Sequence, residues 1–104
     1  MIYKPKRKAY AWTSFRKAKI DGIIWHWSYI NNGYLDYESI MHCCPRCDYE
    51  LHADDIDRVI LKCNHCNKVI RGFPSSTKRQ NPYFEFMDHI KREIERRIRK
   101  VRKI

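Results

Sequence analysis

Two pairs of cysteines are the residues of this chain whose type and spacing point most directly to chemistry. Cys44 and Cys47 are separated by two residues, and so are Cys63 and Cys66, with fifteen residues between the pairs. A two-residue spacing lets the backbone fold into a tight knuckle that turns both sulfur atoms toward one point. Backbone N–H groups behind the sulfurs then stabilise their charge. Two such knuckles supply the four thiolates of a closed tetrahedral site, so the sequence predicts one structural metal ion.

Zinc is the ion that we expect, because four thiolates complete its coordination and leave no position for water or substrate. In small zinc peptides such an ion contributes about 10–16 kcal/mol to folding. A chain of 104 residues has a modest hydrophobic core, so we expect it to need additional stabilisation from a bound metal ion. Iron in an electron carrier has the same donor set, but a net charge of +10 suits that role poorly.

The first knuckle has a second cysteine beside it, Cys43. Only Cys44 gives the two-residue spacing, so we expect Cys43 to be a small buried residue or a free thiol. Histidines also flank the knuckles, and we expect them not to bind the ion because four thiolates already fill its coordination sphere. These histidines are His42, His52 and His65.

The stretches CPRCDYEL and CNHC resemble the zinc ribbon family, and the resemblance covers residues 43–73. It implies two knuckles on a small antiparallel sheet that share one structural zinc ion. The wider layout, GIIWHW before the first knuckle and KREIERRIRK after the second, is similar to short zinc-ribbon proteins and tails of bacteria and their phages. Because zinc ribbons serve many processes, the resemblance implies a fold rather than one function.

Residues 20–42 precede the ribbon and are predicted to form a β-hairpin. The dipeptide Asn32-Gly33 between two aromatic runs is typical of a two-residue type I′ turn. A turn at this position would place Trp25 opposite Ile40 on the neighbouring strand.

The same hairpin would put three aromatic rings on one face, those of Trp25, Trp27 and Tyr29. Such rings can stack on nucleic acid bases. In the predicted register, however, they lie opposite Asp36 and Glu38, whose carboxylates repel phosphate. We therefore expect these rings to pack under the C-terminal helix or the N-terminal segment.

The end of the chain is predicted to be a long amphipathic helix. Asn81 can cap it, and Pro82 suits its first position. Its 22 residues would extend about 33 Å, so we expect the last two turns to project beyond the ribbon or to pack on a partner. The apolar stripe recurs at steps of three and four, at Tyr83, Met87, Ile90, Ile94, Ile98 and Val101.

The predicted fold class is therefore a small α+β domain, an antiparallel hairpin plus a zinc ribbon with a long basic C-terminal helix. Its expected segments form one compact unit. They are a basic arm at 1–19, which could instead be an irregular strand, the hairpin at 20–42, the ribbon at 43–73, a linker at 74–81 and the helix at 82–103.

Charge is concentrated at the two ends. Residues 1–19 carry seven Lys and Arg and no acid, and residues 77–104 carry ten bases and four acids. Residues 20–76 have five bases and eight acids. This asymmetry predicts an anionic partner, with DNA or RNA favoured and an acidic protein surface, bound by an adaptor or inhibitor, as the alternative. The candidate contact residues are Lys4, Lys6, Arg7, Lys8, Arg96, Arg99, Lys100 and Lys103.

Other functional classes are disfavoured. The sequence has no Ser/His/Asp order, Gly-rich phosphate loop or HExxH motif, so we expect no enzyme activity. No stretch resembles a signal peptide or approaches the ~18 apolar residues of a membrane span. We therefore expect reduced cysteines, a cytoplasmic location and no membrane partner. The apolar stripe of the helix could also pair two copies of the chain as a homodimer.

Overall fold

In the computed structural model, which describes residues 11–55, 59–75, 77 and 79–102, two antiparallel sheets pack with one C-terminal helix. This architecture confirms the small α+β class. Each sheet has three strands in sequential order. The first contains β1 (Lys17–Ile20), β2 (Ile23–His26) and β3 (Met41–Cys43), and the second contains β4 (His52–Asp55), β5 (Val59–Cys63) and β6 (Lys68–Gly72). The helix, α1, is Pro82–Arg102, and short 3₁₀ turns occupy Ala11–Ser14 and Tyr37–Ser39.

The first sheet is built on a turn that the sequence analysis missed. Asp21 and Gly22 have φ values of 53° and 79°, which is the left-handed backbone that a type I′ turn requires. Glycine adopts it without a Cβ clash, and aspartate tolerates it better than most residues. The turn pairs β1 with β2, so a strand occupies the end of the segment expected to be an arm.

The predicted hairpin register is wrong. Trp25 pairs with His42, two residues beyond its predicted partner. The cause is the 3₁₀ turn at Tyr37–Ser39, which takes up residues that a regular hairpin would have paired. Asp36 caps this turn by accepting a hydrogen bond from the Glu38 amide at 3.1 Å. Such local side-chain bonds compete with strand pairing.

The tryptophan of β2 and the one directly after this strand lie in the core, as expected. Trp25 is fully buried and its ring centroid lies 5.9 Å from that of Phe86 on α1. Trp27 is 3% exposed and meets Phe15 edge to face at 5.0 Å. Rings buried in this way have no face available for a nucleic acid base.

The helix begins at Pro82, as predicted, and Asn81 caps it through a 3.1 Å hydrogen bond from the Phe84 amide. The expectation that its last two turns project is wrong, because Ile98 is only 5% exposed. The end of α1 contacts the 3₁₀ turn at Ala11–Ser14 instead. Within the described part of the chain, no helix combines the length and apolar character needed to span a bilayer.

The two sheets meet on one face of this helix. The Phe86 ring lies against Trp25 of the first sheet and 5.1 Å from Phe73, which follows β6 of the second. Ile90 and Ile94 beside it are fully buried. The predicted apolar stripe omitted Phe86, although this side chain joins the sheets most directly.

Candidate metal centre

The first knuckle connects β3 to β4 and is closed by its own backbone. The Cys44 amide donates to the Tyr49 carbonyl and the Asp48 amide donates to the Cys44 carbonyl, both at 2.8 Å. The Arg46 amide points at the Cys44 sulfur at 3.4 Å. Asp48, directly after Cys47, has a φ of 64°, which turns the chain back on itself.

The second knuckle repeats this arrangement. Cys63 ends β5, and the Cys66 amide donates to its sulfur at 3.2 Å. Asn67, the residue after Cys66, has a φ of 58°. Aspartate and asparagine are the non-glycine residues that most readily adopt left-handed backbone. An Asp or Asn directly after each cysteine pair is therefore a sequence signal of the knuckle, and the sequence analysis did not use it.

The knuckles bring four sulfur atoms into one cluster. The Sγ–Sγ distances are 3.9 Å for Cys44–Cys66, 3.6 Å for Cys47–Cys63 and 3.5 Å for Cys47–Cys66, and all four sulfurs lie within 4.8 Å of one another. A tetrahedron with metal–sulfur bonds of 2.3 Å has sulfur–sulfur edges of about 3.8 Å. The four cysteines can therefore hold a metal ion.

The electrostatics of the cluster also fit a cation. Burial raises the pKa of Cys44, but the backbone amides of Arg46 and Cys47, together with the thiols of Cys47 and Cys63, lower that pKa to about 7. The adjacent Cys47 thiol and burial raise the pKa of Cys66 to about 12. Four neighbouring thiols cannot all ionise without a positive charge among them, and a bound metal ion supplies that charge.

Cys43 and Cys44 are both buried, but the pKa of the Cys43 thiol is raised whereas that of Cys44 is lowered. Cys43 is 2% exposed, and burial, together with the nearby Asp48 and Glu50 carboxylates, raises its pKa to about 11. A thiol of this kind stays protonated and unreactive. The assignment of Cys43 as a small buried residue is confirmed.

Asp48 ties the first knuckle to the first sheet. One carboxylate oxygen lies 2.7 Å from His26 Nε2, and the other lies 3.0 Å from Lys17 Nζ. The hydrogen bonds from His26 and Lys17 lower the pKa of Asp48, so it remains an anion. The sequence analysis missed this link because its three residues come from three separate segments.

The flanking histidines lie outside the sulfur cluster. His42 Nε2 is 3.2 Å from the Tyr83 hydroxyl, and its ring packs against Trp25. The exposed His65 ring lies 5.4 Å from that of Tyr49, and His52 lies on β4. Among the described residues, two groups have ligand atoms close enough to hold a metal ion, the four cysteines and the set His26, Cys43 and Asp48, and neither group includes these three histidines.

Of the predicted nucleic-acid contacts on α1, Arg96 forms an ion pair with Glu93, whereas Arg99 and Lys100 form none with a described residue. Arg96 donates to Glu93 through two nitrogens, at 3.0 and 2.5 Å, and Arg97 donates to the same carboxylate at 2.8 Å. These arginines lower the pKa of Glu93 to about 2. Arg99 and Lys100 are exposed and form no ion pair with any described residue. The other candidates, Lys4, Lys6, Arg7, Lys8 and Lys103, lie outside the described residues.

No protein-family model, curated protein or solved structure matches this chain.

Proposed function

We propose that this protein is a non-enzymatic nucleic-acid-binding module built on a zinc ribbon. The zinc ion would be held by Cys44, Cys47, Cys63 and Cys66, and its role is to close the ribbon. The sulfur–sulfur distances of 3.5 to 3.9 Å support tetrahedral coordination by these four thiolates. A site saturated in this way has no open position for substrate, so its contribution is structural.

The basic charge of the chain favours zinc over iron. An iron site with this donor set would belong to an electron carrier, which exchanges electrons with partners through matched surfaces, and a net charge of +10 suits that role poorly. Metal analysis of protein purified from cells tests this choice. We expect one zinc per chain and no visible absorption, because Zn²⁺ has a filled d shell. A coloured protein containing iron would overturn the assignment.

The observation that carries the nucleic-acid proposal is the exposed charge at the end of α1. Residues 96–102 include five Lys and Arg and no acid. An alternative explanation for this charge is that the cations in the last turn stabilise α1 by offsetting the helix dipole, with no role in binding. That dipole corresponds to only about half a negative charge, so Arg99, Lys100 and Arg102 supply far more positive charge than it needs.

Three arginines of α1 lie along one exposed face of the helix. Arg92, Arg96 and Arg99 are spaced by four and three residues, so they line up on the side of α1 opposite the buried Ile94. Seven residues of helix extend about 10 Å. The result is a basic ridge, defined by Arg92, Arg96 and Arg99, that can follow the phosphates of a nucleic acid strand.

Fluorescence anisotropy with labelled 20-nucleotide DNA and RNA tests the proposal. Affinity should fall steeply with salt, by about 50-fold between 50 and 200 mM KCl if four phosphates of a single strand are contacted. The double substitution Arg99→Gln with Lys100→Gln should weaken binding at 50 mM salt about tenfold or more and reduce the salt dependence.

A matched control removes the same charge elsewhere. Arg79 and Lys68 are exposed and lie outside α1. The double substitution Arg79→Gln with Lys68→Gln should therefore leave affinity almost unchanged. Equal losses in both variants would indicate a response to net charge alone, and an absence of salt-dependent binding to any nucleic acid would reject the proposal. In the second case an acidic protein becomes the partner to seek.

A further inference from the structure

A small groove lies between the loop after β2 and the end of α1. Its volume is about 230 Å³, and its lining combines an apolar floor with polar edges. The floor comes from Leu35 and Ile98, and the edges carry Tyr34, Arg99 and Arg102. Tyr34 is 60% exposed, which leaves most of its side chain accessible to a ligand.

The half-buried Trp12 side chain contacts both sides of this groove. Trp12 Nε1 donates a 3.0 Å hydrogen bond to the Gly33 carbonyl, which fixes the loop next to Tyr34. The guanidinium carbon of Arg102 lies 4.9 Å from the centre of the same indole ring. The Ile30 amide donates to the Tyr34 carbonyl at 2.9 Å and closes the loop. The backbone that carries Tyr34 and the Arg102 side chain are therefore positioned before any ligand arrives, which reduces the entropic cost of binding.

The side chains around the groove match the two parts of a nucleotide. An exposed tyrosine offers a ring on which an unpaired base can stack. Arg99 and Arg102 are three positions apart on α1, so both reach the same side of the groove, where a phosphate can accept hydrogen bonds from them. Glu95 also lines the groove, and its carboxylate is engaged by the Tyr37 hydroxyl.

We infer that this groove binds an unpaired nucleotide, and that the nucleic acid recognised by the basic ridge is single-stranded. The inference rests on the proposed function and adds the class of nucleic acid to it. A base in a duplex is stacked and paired on both sides, so it cannot enter a groove of this size without being extruded. The basic ridge alone would bind single strand and duplex alike, and stacking on Tyr34 supplies the preference for the single strand.

Anisotropy measurements with a 20-nucleotide single strand and the matching duplex test the inference on the full-length protein. We expect the single strand to bind at least tenfold more tightly at 100 mM KCl. Tyr34→Ala should weaken single-strand binding about 5- to 100-fold, because stacking on one aromatic ring contributes that much. Its effect on duplex binding should be less than twofold. Tyr34→Phe keeps the ring and should restore the affinity.

Tyr49 provides the matched control, because it is similarly exposed, at 53%, but lies on the first knuckle. Tyr49→Ala should bind the single strand as the unsubstituted protein does. Equal affinity for strand and duplex, or an unchanged affinity in Tyr34→Ala, would overturn this inference and leave the nucleic-acid proposal intact. Absence of binding to both forms would instead reject both.

Discussion

Adjacent cysteines in the first knuckle show how strongly position decides the chemistry of one residue type. Cys44 lies where backbone amides point at its sulfur and lower its pKa to about 7, whereas burial near carboxylates raises the pKa of Cys43 to about 11. Thiolates bind metal ions and protonated thiols do not. The spacing rule chose Cys44, and the surroundings of the two sulfurs give the physical reason.

Substitution of each cysteine separates the two roles. Cys44→Ser should abolish stoichiometric metal binding, because hydroxyl is a poor ligand for zinc beside three thiolates. Cys43→Ala should retain one metal per chain and lose about 1 kcal/mol of unfolding free energy through a small cavity. Native mass spectrometry counts the metal, and urea titration measures the stability. Loss of metal from Cys43→Ala would contradict the assignment.

Glu93 restrains Arg96 of the basic ridge and the neighbouring Arg97. Its carboxylate accepts hydrogen bonds from Arg96 and Arg97, so neither is fully available to phosphate. Glu93→Gln should strengthen nucleic-acid binding about threefold or more at 50 mM KCl and steepen the salt dependence. Glu85→Gln makes the same charge change in the first turn of α1 and should have a smaller effect. Equal effects of the two substitutions would show that Glu93 acts only through net charge.

Among the secondary-structure elements, two dipeptides whose sequences are typical of a type I′ turn behaved differently. The predicted type I′ turn at Asn32-Gly33 is wrong, because Gly33 has a positive φ and Asn32 does not. The turn at Asp21-Gly22 joins two paired strands, β1 and β2. Asn32-Gly33 instead lies in a longer loop, closed by the Tyr29–Leu35 bridge. A local motif can specify a reversal of the chain, but the pairing of the flanking residues depends on what else they contact.

Gly22 allows a direct measurement of turn strain. No atom lies within 4 Å of a Cβ added at Gly22, so Gly22→Ala should cost about 1–2 kcal/mol through its φ of +79° alone. Gly72 in β6 is equally open, and its φ lies outside the left-handed region, so Gly72→Ala should be neutral or slightly stabilising. Urea unfolding of both variants makes the comparison. Equal destabilisation of the two variants would show that the positive φ of Gly22 does not determine the cost of adding a Cβ there.

At the scale of the whole molecule, α1 packs against both small sheets, and a metal ion held by the four cysteines would stabilise the second sheet further. Phe86 packs against an aromatic residue from each sheet, and Asp48 ties the first knuckle to His26 of the first sheet. The second sheet has few large buried side chains of its own, chiefly Leu61. Its stability should therefore depend on the ion more than that of the first sheet does.

Metal removal tests that dependence. A zinc chelator should lower the melting temperature, and amide hydrogen exchange should increase most in β4–β6 and least in β1–β3. Adding zinc back should restore protection, which distinguishes loss of the ion from irreversible damage. Unchanged melting and exchange after complete removal of the ion would show that the core alone maintains the fold.

The sequence by itself determined the features that depend on local chemistry. The two-residue cysteine spacing identified the four sulfurs that cluster, and the Asn81-Pro82 pair located the start of the helix. The strands were only partly foreseen, because the turn at Asp21-Gly22 that pairs β1 with β2 was not recognised. Short-range rules succeed here because the groups that interact are neighbours along the chain.

Only the tertiary structure decided the features that join distant segments. The register of Trp25 with His42, the burial of Ile98 and the link from Asp48 to His26 and Lys17 each depend on contacts between separated parts of the chain. The groove between Tyr34 and Arg99 is of the same kind, since 65 positions separate its two sides. Such contacts form where burial of apolar area outweighs local preference, and that balance cannot be read from residue spacing.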